Sequence, residues 1–328
     1  NYSAMEVWDA EGTGSIDFSA EQINQPELGS IVENSIIIAA LHKRVAQLEN
    51  VFSITPFSIE SFEQVEREDG LIVKLNADDG QAIRAPLIIA ADGANSKLRA
   101  LANFGCREWD YEQHALVTTV RTQLPHNNTA LQRFMETGPL AFLPLRSATE
   151  DDAQHFCSIV WSMLPDQAER VMSLSEDEFN SELAAALESK LGAIEWSDKR
   201  FVFPLRQRHA LDYVKEGIVL VGDAAHTIHP LAGQGVNLGL LDAKALAEEL
   251  QRGIQAGRSV ADPKVLLRYQ RRRKGNNLSM MWLMEGFKRL FGQQDLSIRW
   301  LRNIGMNAVD KMTPIKNQLI RKAMGLDS

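Results

Sequence analysis

The chain has 328 residues, 45% of them hydrophobic and 24% charged, with a net charge of −8 at neutral pH. At roughly 150 residues per domain this is room for about two domains, and the ordinary globular mix excludes disorder, collagen and coiled coil as descriptions of the whole. Two cysteines, Cys106 and Cys157, lie far apart without paired spacing, which excludes a disulfide framework or a Cys-rich metal centre and suits a reducing compartment, here read as the cytoplasm.

The chain opens on Asn1-Tyr2-Ser3, without Met and without a signal-peptide pattern, as expected of an N-terminally truncated piece. Strand-like Met5–Trp8 and Ser15–Phe18 sit among Gly-rich turns, and residues 32–35 lead into an apolar-periodic helix ending near Asn50. Phe62–Val65 and Leu71–Leu75 alternate as strands of an antiparallel meander, with a turn at Asp78-Asp79-Gly80. Leu87–Ala91 is different, a continuous apolar run of the kind buried on both faces of a parallel sheet, closed by Asp92-Gly93 and followed by a short helix. Strands at His114–Val117, Ala141–Leu145 and Cys157–Ser162 precede an acidic amphipathic helix over 175–191. Gly217–Val221 repeats the buried-strand pattern and closes on Gly222-Asp223; a loop to Gln234 opens a helix to about Leu250. The remainder is helical, with Gly275 and Gly286 read as interruptions.

These patterns predict an α/β fold: a three-layer, Rossmann-like nucleotide-binding domain (31–106 and 206–262) interleaved with a β-sheet-rich α+β domain (1–30 and 107–205), closed by C-terminal helices (263–328). The last segment holds 14 Lys and Arg against 4 Asp and Glu, so it is +10 while the rest is −18. Such a split suits either a surface that meets anionic lipid or an acidic partner, or helices packed on their own acidic domain. The longest uncharged run, 224–241, is broken by two His, a Pro, three Gly and an Asn, so nothing here reads as a membrane span.

Chemistry concentrates where the two buried runs end. Ligands of open α/β sheets sit at the carboxyl ends of the strands, so Asp92 with Gly93, and Asp223 with Gly222, should face a nucleotide crevice, where an Asp accepts hydrogen bonds from ribose or ribityl hydroxyls. Either acid, taken singly, also reads as a turn or helix-cap residue. After Asp223, residues 226–239 place Gly233, Gln234, Gly235, Val236 and Asn237 at a helix start, where glycines allow close backbone approach and free N–H groups attract negative charge. His226 and His229 lack a third ligand, so no metal is expected. No GxSxG elbow, Walker loop or nucleic-acid module is present.

Ile89 through Arg99 resembles the DG motif of the class A flavoprotein aromatic monooxygenases, and Val219 through His226, with Pro230, Gly233–Gly235 and Asn237–Gly239, resembles their GD motif and flavin-ring loop. Phrases at 5–9, 31–35, 141–145, 157–162, 229–235 and 318–326 are most similar to the ubiquinone-biosynthesis hydroxylases within that group. The resemblance implies noncovalent FAD, NAD(P)H as reductant and O2 as co-substrate. It further implies hydroxylation, through a C4a-hydroperoxyflavin, of a polyprenylphenol of the 2-octaprenylphenol kind. Alternatives are another ring position of the ubiquinone precursor, a flavin-dependent prenyl reductase, or a noncatalytic subunit of the biosynthetic assembly. By motif position Asp92 and Gly93 would lie near the pyrophosphate and Asp223 near the ribityl chain or the pyrophosphate. Pro230, Gly233, Gly235, Val236 and Asn237 would flank the isoalloxazine, and Asn34 would touch FAD. His229 and His226, ordinarily titrating near neutrality, are the candidates for drawing the phenol proton. The family's opening strand–GxGxxG–helix unit is missing before Asn1, so the chain as it stands is expected to hold FAD poorly. A cytoplasmic enzyme must collect a prenylated substrate from a membrane or a lipid-binding partner. The basic helices, with Arg271–Lys274 beside Met280–Met284, offer the surface for that and for other proteins of the pathway.

Overall fold

A computed structural model of the chain describes residues 1–10, 12–67, 70–147, 153–215, 217–227 and 234–292, with positions 310, 312, 314, 316 and 317 besides. In chain order the elements are β1 (Ala4–Asp9), β2 (Ser15–Ser19), α1 (Asn34–Val45), β3 (Ile59–Arg67), β4 (Gly70–Ala77), β5 (Ala82–Ala85), β6 (Ile88–Ala90), α2 (Lys97–Leu101), β7 (Cys106–Thr122) and β8 (Thr129–Met135). There follow β9 (Gly138–Leu145), β10 (Phe156–Met163), α3 (Pro165–Ser173), α4 (Glu176–Ala186), β11 (Ile194–Ser197), β12 (Phe201–Ala210), β13 (Val214–Lys215), β14 (Ile218–Leu220), β15 (His226–Thr227), α5 (Gln234–Gln255) and α6 (Pro263–Gly292). They divide between two compact units, one of residues 1–48, 112–204 and 286–328, the other of 49–111 and 205–285.

In the first unit a sheet runs β7-β10-β9-β8-β1-β2, with β11 also on β7. Only β1 against β8 is parallel among its registered pairs. Strict alternation along β9 and β10 sends Leu140, Phe142, Ile159 and Trp161 to one face, where Val171 of α3 and Phe179 and Leu183 of α4 cover them. Pro165 opens α3 at its first turn, and Ser175 with Glu178 forms a capping box on α4. The acidic helix predicted to reach 191 stops at Ala186, because Glu188 and Ser189 take left-handed φ values of 57° and 53°.

The second unit holds a three-stranded sheet, β13-β14-β6, and the meander β3-β4-β5. β14 lies parallel to β6, pairing Ile218 with Ile88 and Leu220 with Ala90. Tyr213, Ile218, Val219, Leu220, Leu246, Leu266 and Tyr269 share one core. Both apolar runs read as strands buried on two faces; this holds for β14 but not for β6, whose Ile89 is 47% exposed at the sheet edge.

Two further expectations are corrected. The first, of an apolar-periodic helix to about Asn50, becomes α1, which ends at Val45 and buries no residue, with Ile36 and Leu41 more than half exposed. The second concerns Gly275 and Gly286, which do not interrupt the C-terminal helix: α6 runs through both. Each glycine costs a helix interior about 1 kcal/mol, and the packing of Val265, Leu266 and Tyr269, all at most 1% exposed, outweighs it.

Candidate functional site

Because β6 and β14 are parallel neighbours, the loops that leave their carboxyl ends start side by side, joined where Val221 N–H donates to the Ala90 carbonyl at 3.0 Å. In the first loop Asp92 Oδ2 accepts from Leu98 N–H at 3.3 Å and Ser96 Oγ from Arg99 N–H at 3.0 Å, so both residues cap α2. Gly93 has φ +81°, with nothing within 4 Å of where a Cβ would stand. Arg99, only 8% exposed, donates to the carbonyls of Ala224 (2.9 Å) and Ala94 (2.6 Å), tying this loop to the next one. Arg208 donates to the same Ala94 carbonyl and pairs with Glu108 at 2.5 Å. These two arginines were not singled out as site residues in the sequence; Arg208 carries no motif signal, while Arg99 lies inside the DG motif.

In the second loop Gly222, at φ +60°, fits against α5: a Cβ there would sit 3.5 Å from the Gly239 Cα. Asp223 is exposed. Beneath it lies a buried polar cluster built on Asp242 of α5, which has no exposed surface. Its Oδ2 accepts from Gly222 N–H at 3.2 Å and stands 2.5 Å from His226 Nε2, while its Oδ1 accepts from Arg273 Nε at 2.6 Å and Asn277 Nδ2 at 3.2 Å. Burial drives the Asp242 carboxyl pKa upward, but the His226 hydrogen bond and the Arg273 guanidinium together hold it below the ordinary value. Asn277 Oδ1 accepts from Arg273 Nη2 at 3.0 Å, so its Nδ2 is the donor toward Tyr213 Oη at 3.3 Å. The Tyr213 hydroxyl proton is then left for His209 Nε2 at 3.1 Å, and His209 is pushed down to about 4, chiefly by burial. Asp242, Arg273 and Asn277 had no motif to announce them; only the fold brings α5 and α6 against β15.

Two polar atoms of β15, His226 Nδ1 and Thr227 Oγ1, are buried without a hydrogen-bond partner among the described residues. Of the other sequence-derived residues, Gln234, Gly235, Val236 and Asn237 form the first turn of α5; Val236 and Asn237 are exposed, and a Cβ on Gly235 would meet nothing within 4 Å. His229, Pro230 and Gly233 lie outside the described residues. Asn34 starts α1, in the other unit. Among the described residues no group of three or more His, Cys, Asp or Glu could hold a metal ion, and no helix is long and apolar enough to cross a membrane.

Residues 46–280 match the family model described as FAD binding domain. The chain is 36% identical, over 99% of its length and 80% of the relative's, to the 3-demethoxyubiquinol 3-hydroxylase of Escherichia coli (strain K12). The chain belongs to this family of FAD-dependent monooxygenases. It is also 31% identical over 97% of its length, and 75% of the relative's, to the mitochondrial ubiquinone biosynthesis monooxygenase COQ6 of Xenopus tropicalis. To the ubiquinone hydroxylase UbiL of Rhodospirillum rubrum it is 33% identical over 92% of the chain and 68% of the relative. The crystal structure of p-nitrophenol 4-monooxygenase from Pseudomonas putida DLL-E4 shares the fold, with a TM-score of 0.75 at 17% identity over 98% of this chain and 81% of that one. The family places the chain among flavoprotein hydroxylases of ubiquinone biosynthesis that use FAD with NAD(P)H. The residues present fit that cofactor: open glycine backbone at 93 and 235, an exposed Asp223 at the strand end, and two orphaned buried polar atoms on β15.

Proposed function

We propose that the protein adds one oxygen atom from O2 to the aromatic ring of a polyprenylphenol of the ubiquinone pathway. The observation that carries this reading is the pair of parallel strand ends, which sets the Gly93 turn and the exposed Asp223 beside one another. Bound FAD, reduced by NAD(P)H, would supply the electrophilic oxygen, so the chain needs no nucleophile of its own. Asp223 accepts hydrogen bonds from the ribityl hydroxyls, and Gly93 with Asp92 borders the pyrophosphate. Gly235, Val236 and Asn237 meet the isoalloxazine ring, with Pro230, Gly233 and Gln234 beside them. The free N–H groups of the first turn of α5 stabilise negative charge on the ring. His229 and His226 are the groups that take up the phenol proton, His226 only through Nδ1, since its Nε2 is engaged by Asp242.

The ring-binding strands are β9 and β10. Their aromatics Phe142 and Trp161 belong to the helix-covered core, so the substrate meets the other face, where Val160 pairs with Ala141 and Ser158 with Leu143, all partly exposed. The name of the Escherichia coli relative favours a second reading, in which the acceptor ring is a demethoxyubiquinol and the position hydroxylated differs. Supplying the FAD-loaded protein with NADPH, 18O2 and either a short-chain prenylphenol or a demethoxyquinol analogue separates the two. One 18O in the product of the first supports the polyprenylphenol, and one 18O only in the product of the second replaces it. NADPH consumption with peroxide and no labelled product from either removes the hydroxylase reading.

A further inference from the structure

We propose that Asp242 is a positioning residue that locks His226 with its proton on Nε2, making Nδ1 the acceptor for a hydroxyl group of a bound ligand. The inference rests on the flavin-site reading of this turn. The geometry leaves one hydrogen-bond polarity. Asp242 is an ionised carboxylate, since it faces the Arg273 guanidinium at 2.6 Å and receives N–H bonds from Gly222 and Asn277. An ionised carboxylate only accepts, so the 2.5 Å contact requires a proton on His226 Nε2. The carboxylate and guanidinium are 0% and 6% exposed and cancel one another, so the cluster holds no further counter-charge, and the tautomer that donates through Nε2 carries its lone pair on Nδ1. Asn277, itself fully buried, bonds Arg273 and Asp242 and keeps both in place.

That lone pair is the anomaly the rest of the cluster does not resolve. His226 is 1% exposed, and Nδ1 is buried without a partner, although nearly every buried polar atom in a folded protein has one. Thr227 Oγ1, on the next residue, is orphaned in the same way. A ligand hydroxyl fits this vacancy in bonding because the fixed tautomer offers an acceptor and no donor. The ribityl chain of the cofactor and a phenol-type substrate both supply such a hydroxyl.

Long-range 1H–15N correlation spectra of the histidine-labelled protein read the tautomer directly. Before any ligand is added, His226 is expected as the Nε2–H form; an Nδ1–H form overturns the assignment to Asp242 whatever the variants do. Adding FAD and then a short-chain prenylphenol separates the two hydroxyl sources. An Nδ1 resonance that moves with FAD names the ribityl chain, and one that moves only with the phenol names the substrate. An Nδ1 resonance unmoved by both, in a protein whose visible spectrum shows bound flavin, refutes the acceptor role. Where no flavin is taken up the phenol alone is decisive: an Nδ1 resonance that it leaves unmoved counts against the acceptor role, and the tautomer result stands. Asp242→Asn, which offers an amide in place of the carboxylate, should reverse the tautomer and weaken the responsive ligand about tenfold, the loss of one hydrogen bond. An unchanged ligand affinity with a reversed tautomer counts against the proposal, and if this variant does not fold, the tautomer of the wild-type protein and the response of its Nδ1 resonance still decide it.

Discussion

A single buried histidine makes the pH dependence of this protein legible. His209 is 3% exposed and accepts from the Tyr213 hydroxyl, so it must be neutral in the folded chain, with its pKa pushed to about 4 from an ordinary 6.5. In the unfolded chain it binds a proton between those values and in the folded chain it does not. Stability from this residue is therefore complete above about pH 6.5 and is lost as the pH falls to 4, by about 3 kcal/mol in all. Asp242 acts in the same direction in a lower window: its folded pKa lies below 3.8, so its share fades only below that pH. Urea midpoints measured from pH 7 to 4 should fall steadily, and His209→Gln should flatten the slope above pH 4. A variant whose slope matches the parent would take the effect away from His209.

At the scale of elements, how a helix holds together differs from how its sequence reads. The pattern placed the elements with a strong local signal, because alternation in β9 and the apolar run of β14 each answer to a local burial need, and it left β8, α3 and β12 unannounced. It misjudged α6, because the glycines at 275 and 286 carry a strong local signal while the contacts that overrule it come from α5 and the second-unit core. Glu248 and Glu249 of α5 meet Arg272 at 2.5 Å and Arg268 at 3.1 Å, and Tyr269 Oη donates to the Leu220 carbonyl at 2.8 Å. The DG and GD motifs were readable because their chemistry is contiguous; the Asp242 cluster was not, since its members are spread from 209 to 277. Gly275 now becomes a place to test the helix. It is exposed, and a Cβ there would meet nothing within 4 Å. Gly275→Ala is expected to raise stability by about 0.5–1 kcal/mol, through lower entropy of the unfolded chain. A midpoint that falls in chemical denaturation would mean that α6 is not a continuous helix at that point.

Across the whole molecule the charge is divided rather than spread, with +10 on residues 263–328 and −18 on the rest. Part of that contrast is neutralised within the second unit, where Arg268, Arg272 and Arg273 are spent on Glu248, Glu249 and Asp242, and Lys274 lies 3.9 Å from Asp212. Arg271 stays exposed, and Trp282 further along α6 is 71% exposed, an apolar body with a polar edge of the kind that settles at a lipid interface. If this helix meets an anionic bilayer, as the charge division of the sequence leads one to expect, Arg271 and Trp282 are what its described part presents. The net charge of −8 opposes such contact only at long range, because at about 0.15 M salt the Debye length is near 8 Å and distant acids are screened while a cation at the lipid surface, such as Arg271, is not. Co-sedimentation with phosphatidylserine vesicles should accordingly exceed that with neutral ones, fall as salt rises, and weaken several-fold in the double variant Arg271→Ala, Trp282→Ala. Equal binding to neutral and anionic vesicles, or none to either, would leave the basic helices with their intramolecular role alone.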